Sequence, residues 1–387
     1  DYRIDVSQSA GFSTFEGLYN NLPVNGTSVS ITGLSAGNTY YYRVRANNAS
    51  GASVNSNVIA VLLKPAAPDV LAGSDMTTNA FTANWNAQAG ITDFAIDVSV
   101  NDFISNLSGY DNLLVNGNTV AVSGLNPGTT YKYRVRAINA TGASDNSLAV
   151  AVITVPPAPV ASPATQVTTA GFTANWNTSS GVPAYYLDVS DDISFGTFLT
   201  GYQNFASSSS SQTISGLPAG TTWYYRVRGA NVSGTSTDSN VITVATLPTA
   251  PNATAATAVS ASGFTANWDA VPGVSSYRVD VSTDPNFSFF VGSYFNQLVA
   301  GNSLTVTGLS AGTQYFYRVR SENGSGNSTN SVAVNVLTWP SAPVANESLS
   351  VTSLTFLANW NSVSTATGYY IDVSASSNFS SMIAGFD

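Results

Sequence analysis

Residues Asn38–Gly51 read NTYYYRVRANNASG. Every second side chain from Tyr40 is large or apolar (Tyr40, Tyr42, Val44, Ala46), and the residues between them include Tyr41, Arg43 and Arg45. That period of two is a strand with one face turned to a core. Interleaved aromatic and basic residues also occur on nucleic-acid surfaces, so the arginines raise a choice between holding a ligand and holding the protein together.

Composition argues against nucleic acid. Only 9% of the 387 residues are charged, the net charge is -9 and the pI is about 4.3, the wrong sign for neutralising phosphates. With 43% apolar and 11% aromatic residues the chain has enough apolar surface to bury several cores. Cysteine and histidine are absent, which removes disulfides, thiol nucleophiles, the usual zinc ligand sets and the Ser-His-Asp triad. Apolar runs such as Val58–Leu63 are far below the roughly 20 residues of a membrane helix, so no membrane insertion is expected. The chain opens on DYRIDVS with no charged-then-apolar leader and reads as if cut from something longer.

The opening stretch recurs. Arg-Val-Arg stands at Arg43, Arg134, Arg226 and Arg318, 91 to 92 residues apart, and tryptophan in an Asn-Trp setting at Trp85, Trp176, Trp268 and Trp360. Asp-Val-Ser recurs at Asp5, Asp97, Asp188, Asp280 and Asp372, and P-x-A-P at Pro65, Pro156, Pro248 and Pro340. Self-similarity at a fixed period means an array, and paired prolines that remove backbone donors mark its joints. The boundaries that follow are a partial unit over 1–64, whole units over 65–155, 156–247 and 248–339, and a partial unit over 340–387. Within a unit FTANW, YLDVS and WYYRVRGA alternate with period two, and Gly, Ser, Asn and Pro clusters separate them. No stretch shows capped helical periodicity. About seven short strands in some 90 residues predict a β-sandwich.

On these residues the units resemble fibronectin type III domains. The resemblance rests on the Trp of FTANWN, the L-x-x-G-T-x-Y run from Leu125 to Tyr131, the following Y-R-V-R-A, N-x-x-G-x-S, and a last strand such as SNVITV. The flavour of these motifs resembles versions found in large secreted and cell-surface proteins of Bacteroidetes-type bacteria. The fold implied is all-β: a tandem array of immunoglobulin-like sandwiches forming an elongated rod. The resemblance also implies a tyrosine corner at Tyr40, Tyr131 and Tyr315, rebuilt where Trp223 takes the tyrosine's place, because an indole donates but does not accept.

Period two places Tyr133, Val135 and Ala137 inside and turns Arg134 and Arg136 out; the same logic on the DVS strand buries Ile96 and Val98 and turns Asp97 out. The two strands are neighbours in the resembled fold, so Asp97 is expected across from Arg134 or Arg136. Eight of the twelve basic residues occupy such repeated positions, which is what a fold requirement produces. The alternative is a binding platform for sugar or protein on the same face, made of Tyr41, Arg43, Arg45, Tyr186, Tyr224, Arg226, Arg228, Phe316, Arg318 and Tyr370. The repeated tryptophans read as core, and Trp339, in the joint LTWPSAP, as a side chain that stiffens the joint.

N-x-[ST]-G follows the Arg-Val-Arg strand at Asn48, Asn139, Asn231 and Asn323. It offers a glycosylation acceptor in form, although Asn, Ser and Gly are also ordinary turn formers. Asp188, Asp191 and Asp192 cluster without any calcium-loop pattern, and no metal or cofactor is expected. The glutamates Glu16, Glu322 and Glu347 occupy unrelated repeat positions, so no carboxylate pair for glycoside hydrolysis is apparent, and no catalytic residue is assigned.

The function expected is therefore a non-catalytic extracellular spacer or stalk of a larger bacterial surface or secreted protein such as an adhesin, its partners the other domains of that chain. Alternatives are a recognition array for surface glycans or proteins, the accessory region of a secreted polysaccharide-degrading enzyme, and a self-associating filament in which neighbouring chains complete the terminal half-units.

Overall fold

The structure is a computed structural model that describes residues 1–385. Its regular elements are strands throughout. In the unit 156–247, Ala161–Thr165, Gly171–Trp176 and Ser211–Ser215 form a three-stranded antiparallel sheet. Facing it, the long Thr222–Asn231 strand pairs with Ala184–Ser190, Gly234–Thr235 and Ile242–Ala245, and Phe205–Ser207 extends the far edge. The unit 248–339 repeats this order. In 65–155 the smaller sheet keeps only Ala80–Asn84 with Thr119–Ser123, supplemented by bridges at Val70–Trp85 and Ser74–Thr82. Residues 1–64 hold the five-stranded sheet alone.

In the whole units the core lies between the two sheets, where alternate residues of both meet. Trp176, Leu187, Val189, Ile214, Tyr225 and Val227 fill the third unit's core. The tryptophan rings lie against an aromatic of the DVS strand: Trp85 on Phe94 at 5.5 Å, Trp176 on Tyr185 at 5.8 Å, Trp268 on Tyr277 at 5.5 Å. All three tryptophans are buried; Trp360 packs on Tyr369 at 5.4 Å but is only half-buried.

Tyrosine corners stand at the expected positions. The phenol oxygens of Tyr40, Tyr131 and Tyr315 accept the backbone N–H of Ser35 (2.9 Å), Asn126 (2.8 Å) and Ser310 (2.9 Å). In the third unit the donor itself is missing, because Pro218 occupies that place and proline has no N–H. Trp223 Nε1 instead donates to Thr221 Oγ1 at 2.8 Å. The two departures are thus coupled. Trp223→Tyr alone is expected to destabilise this unit, and adding Pro218→Ser to recover about 1 kcal/mol through the restored N–H to phenol bond, read as the coupling energy of a double-mutant cycle.

Two serines per unit were not singled out by the sequence pattern. Ser144 and Ser147 accept the N–H groups of Ala137 and Val135 through their hydroxyls (3.0 and 2.9 Å), replacing ladder bonds where the last strand has not yet closed on its neighbour.

The charged face and its candidate site

The register sets Asp5, Asp97, Asp188 and Asp280 directly opposite Arg43, Arg134, Arg226 and Arg318. Each aspartate takes both arginines of its Arg-Val-Arg. Asp188 Oδ2 accepts Arg226 Nε at 3.0 Å and Arg228 Nη2 at 2.9 Å. Asp97 Oδ2 accepts Arg134 Nε at 3.0 Å and Arg136 Nη1 at 2.9 Å. The same pairs occur at Asp5 (2.9 and 3.1 Å) and Asp280 (2.9 and 3.4 Å).

One expectation needs correcting. Asp97 does point away from the core, but it is not turned to solvent: it is 2% exposed, and Asp5, Asp188 and Asp280 are each 1% exposed. The loop after the strand folds over it. Its Oδ1 accepts the N–H of Asn112 at 2.8 Å, as Asp188 accepts that of Asn204 and Asp280 that of Asn296, each at 2.8 Å. These asparagines sit at φ of 52° to 55°, a left-handed conformation Asn tolerates better than most residues. A phenylalanine of the same loop completes the cover. Arg43, Arg134, Arg226 and Arg318 each lie 4.2 Å from a ring centroid, of Phe12, Phe103, Phe195 and Phe287 respectively, a cation–π contact.

Burial pushes the Asp97 carboxyl up, but the Arg136 guanidinium, the Asn112 N–H and the Arg134 guanidinium together outweigh it and hold the group below its ordinary 3.8. A carboxyl lowered in the folded state contributes stability above the unfolded value and loses it as pH falls through the folded one. The unit 65–155 is therefore expected to hold its urea midpoint down to about pH 4 and to lose it progressively below, and Asp97→Asn to flatten that fall.

The other platform residues do not gather into a pocket. Tyr41, Tyr224 and Phe316 are half-buried opposite the buried serines Ser7, Ser190 and Ser282. Tyr186 is half-buried opposite Arg228, and Tyr370 is fully exposed in the last segment. At the equivalent of Tyr224 the second unit carries Lys132, paired with Asp102. A fourth-unit feature that the repeat concealed is the pair Arg278–Glu322 at 2.7 Å. Burial and hydrogen bonding leave the Asp–Arg sets no free carboxylate for proton transfer. Among the described residues no group of three or more His, Cys, Asp or Glu is placed to hold a metal, and no helix is long and apolar enough to cross a membrane. A cavity of about 480 Å³ lies on the inner sheet face of residues 1–64 among Ile4, Val24, Ile31, Tyr42 and Val44, across that sheet from the Asp5–Arg43–Arg45 set.

The paired sheets, the tyrosine corners and the core tryptophans coincide with a match to the family described as fibronectin type III domain over residues 66–153 and 249–336. The chain carries fibronectin type III domains in tandem. Among curated relatives, these domains are similar to part of Chitinase A1 of Niallia circulans, 29% identical over 46% of this chain and 26% of that one. Exoglucanase B of Cellulomonas fimi is 30% identical over 62% of this chain and 23% of its own. The chain thus spans about a quarter of the length of these relatives. A crystal structure of chicken CNTN1 FN1-FN3 domains is 16% identical, covers 71% of this chain and 99% of that one, and has a TM-score of 0.30.

Proposed function

We propose that this segment is a non-catalytic extracellular spacer that holds apart other domains of a longer secreted or cell-surface bacterial protein. The observation that carries the reading is that each repeated charged set is paired within its own unit: every Asp–Arg–Arg set has its carboxylate buried and its first arginine capped by a phenylalanine of its own unit. Four copies of one internal network serve four copies of one fold, where a ligand site would need only one. The partial overlap with proteins named as a chitinase and an exoglucanase supports the version in which the parent is a polysaccharide-degrading enzyme, over an adhesin stalk.

A second reading, a glycan-binding array, is favoured by the fourth unit. There Phe289, Phe295 and Leu298 are exposed, and the Phe290 and Phe295 rings meet at 4.4 Å, an aromatic surface on which a sugar ring can stack. Sedimentation with insoluble chitin and with cellulose separates the two. The spacer is expected to stay in the supernatant; retention that Phe289→Ser with Phe295→Ser abolishes would replace the spacer by the array.

A further inference from the structure

The N-x-[ST]-G turns at Asn139, Asn231 and Asn323 bond to the preceding unit. Asn231 Nδ2 donates to Thr154 O at 2.9 Å, and Ser233 Oγ donates to Ile153 O at 2.5 Å, both carbonyls at the end of the second unit's last strand. One joint earlier, Asn139 Nδ2 reaches Leu63 O at 2.7 Å and Thr141 Oγ1 reaches Leu62 O at 2.9 Å. One joint later, Asn323 Nδ2 reaches Thr246 O at 2.8 Å, and Ser325 Oγ accepts the N–H of Ala245 at 3.3 Å. At each joint the motif's two polar side chains read consecutive residues of the neighbour.

The turn is preformed for this. Asn231 Oδ1 accepts the N–H of Ser233 at 2.9 Å, which leaves Nδ2 aimed outward. Asn48 makes the same internal bond, to Ser50 N at 2.8 Å. The following glycine, at φ of 140° in Gly234, adopts a backbone that residues with a Cβ disfavour. It also lies close to the joint: a Cβ there would come 3.5 Å from Val155.

A second contact closes the same joint from another side. A Cβ on Gly128 would lie 2.6 Å from Ser180 O, and one on Gly181 would overlap Gly128 O. In the next joint Gly220 stands in the same relation to Pro272 O, at 2.8 Å for its added Cβ. Two separated contacts resist bending in a way that one proline linker cannot.

We propose that N-x-[ST]-G is the docking element by which each unit recognises the last strand of the unit before it, and that it fixes the angle of the joint. The atom to which a glycan would be attached, Asn Nδ2, is the atom that docks, so Asn139, Asn231 and Asn323 act as joint residues and not as modification sites. Trp339 does not take this role: it is 62% exposed and contributes its backbone, accepting Gly312 N–H at 2.8 Å and donating to Ser260 O at 3.0 Å.

The proposal goes beyond the spacer reading, since a glycan-binding array would use the same joints. The test reads the joint alone. The chain has no cysteine, so spin labels can be placed on Ile104→Cys and Ile193→Cys, both exposed and in corresponding loops of the second and third units. Pulsed dipolar spectroscopy is expected to give one narrow distance distribution. Asn231→Asp keeps the acceptor for Ser233 N–H but sets a carboxylate oxygen against Thr154 O; it is expected to broaden the distribution at least about twofold, towards the mobility that is the default between domains. Asn231→Ser, which retains a turn-forming oxygen but is too short to dock, is expected to do the same, and circular dichroism of both variants checks that the units stay folded. A width unchanged in a folded variant would overturn the proposal.

Discussion

Replacing Trp176 by alanine is expected to remove about 3 to 5 kcal/mol from the third unit, the cost typical of truncating a buried large aromatic. The ring lies in the core of that unit, 4% exposed and packed on Tyr185. The backbone on either side of it is held in strand pairing with Ala161–Thr165 and Ser211–Ser215, so the space it leaves cannot simply collapse. A single domain commonly has only about 5 to 15 kcal/mol in total, which brings this unit close to unfolding while its neighbours persist. Native-state hydrogen exchange resolves this: amides of Ala184–Ser190 and Thr222–Asn231 should lose protection, whereas those of Ser276–Ser282 keep theirs. Trp176→Phe should cost much less, because the indole N–H has no hydrogen-bond partner to lose.

The second large effect is expected at Asp188. Alanine there leaves Arg226 and Arg228 facing each other, with Asp238 their remaining acidic partner at 3.0 and 3.3 Å, and strands the Asn204 N–H that holds the loop. Breaking a buried ion set by removing one member typically costs about 3 to 5 kcal/mol; the arginines keep about a fifth of their side-chain surface exposed, which places the expectation at the lower end. Asp188→Ala should therefore lower the third unit's denaturation midpoint strongly. The triple change Asp188→Leu, Arg226→Met, Arg228→Met should recover much of the loss, since apolar replacement of a whole buried set is often neutral or better. A network that bound a ligand would instead tolerate Asp188→Ala without loss of stability.

The pairing of these charges was legible because a strand has a period of exactly two residues: once Tyr131 is inside, Arg134 and Asp97 must share a face. The burial of Asp97 was not legible. It depends on Phe103 and Asn112, which follow in a loop where the units differ (NDFISNLSGYDN against DDISFGTFLTGYQN) and where no periodicity operates. Their signal was a left-handed backbone at Phe103 and Asn112, with φ of 64° and 54°, and for phenylalanine no residue preference announces it. The rebuilt corner at Trp223 was half legible: the indole was visible, but its link to Pro218 becomes plain only when the N–H of Asn126 and Ser310 is seen to serve the tyrosines. The N-x-[ST]-G turns were visible as turns. Their docking was hidden because it joins residues some 77 positions apart, such as Asn231 and Thr154, across a boundary that local patterns do not cross.

The most direct test of the spacer is whether length follows the number of units. Deleting residues 156–247 joins Val155 to Pro248, which takes the place of Pro156, and sets Asn323 and Ser325 against Thr154 and Ile153. A ten-residue strand such as Thr222–Asn231 rises about 3.3 Å per residue. Small-angle X-ray scattering is thus predicted to show a maximum dimension shortened by about 30 to 40 Å with the remaining units folded. A maximum dimension that does not change, because the units fold back on one another, would contradict the spacer.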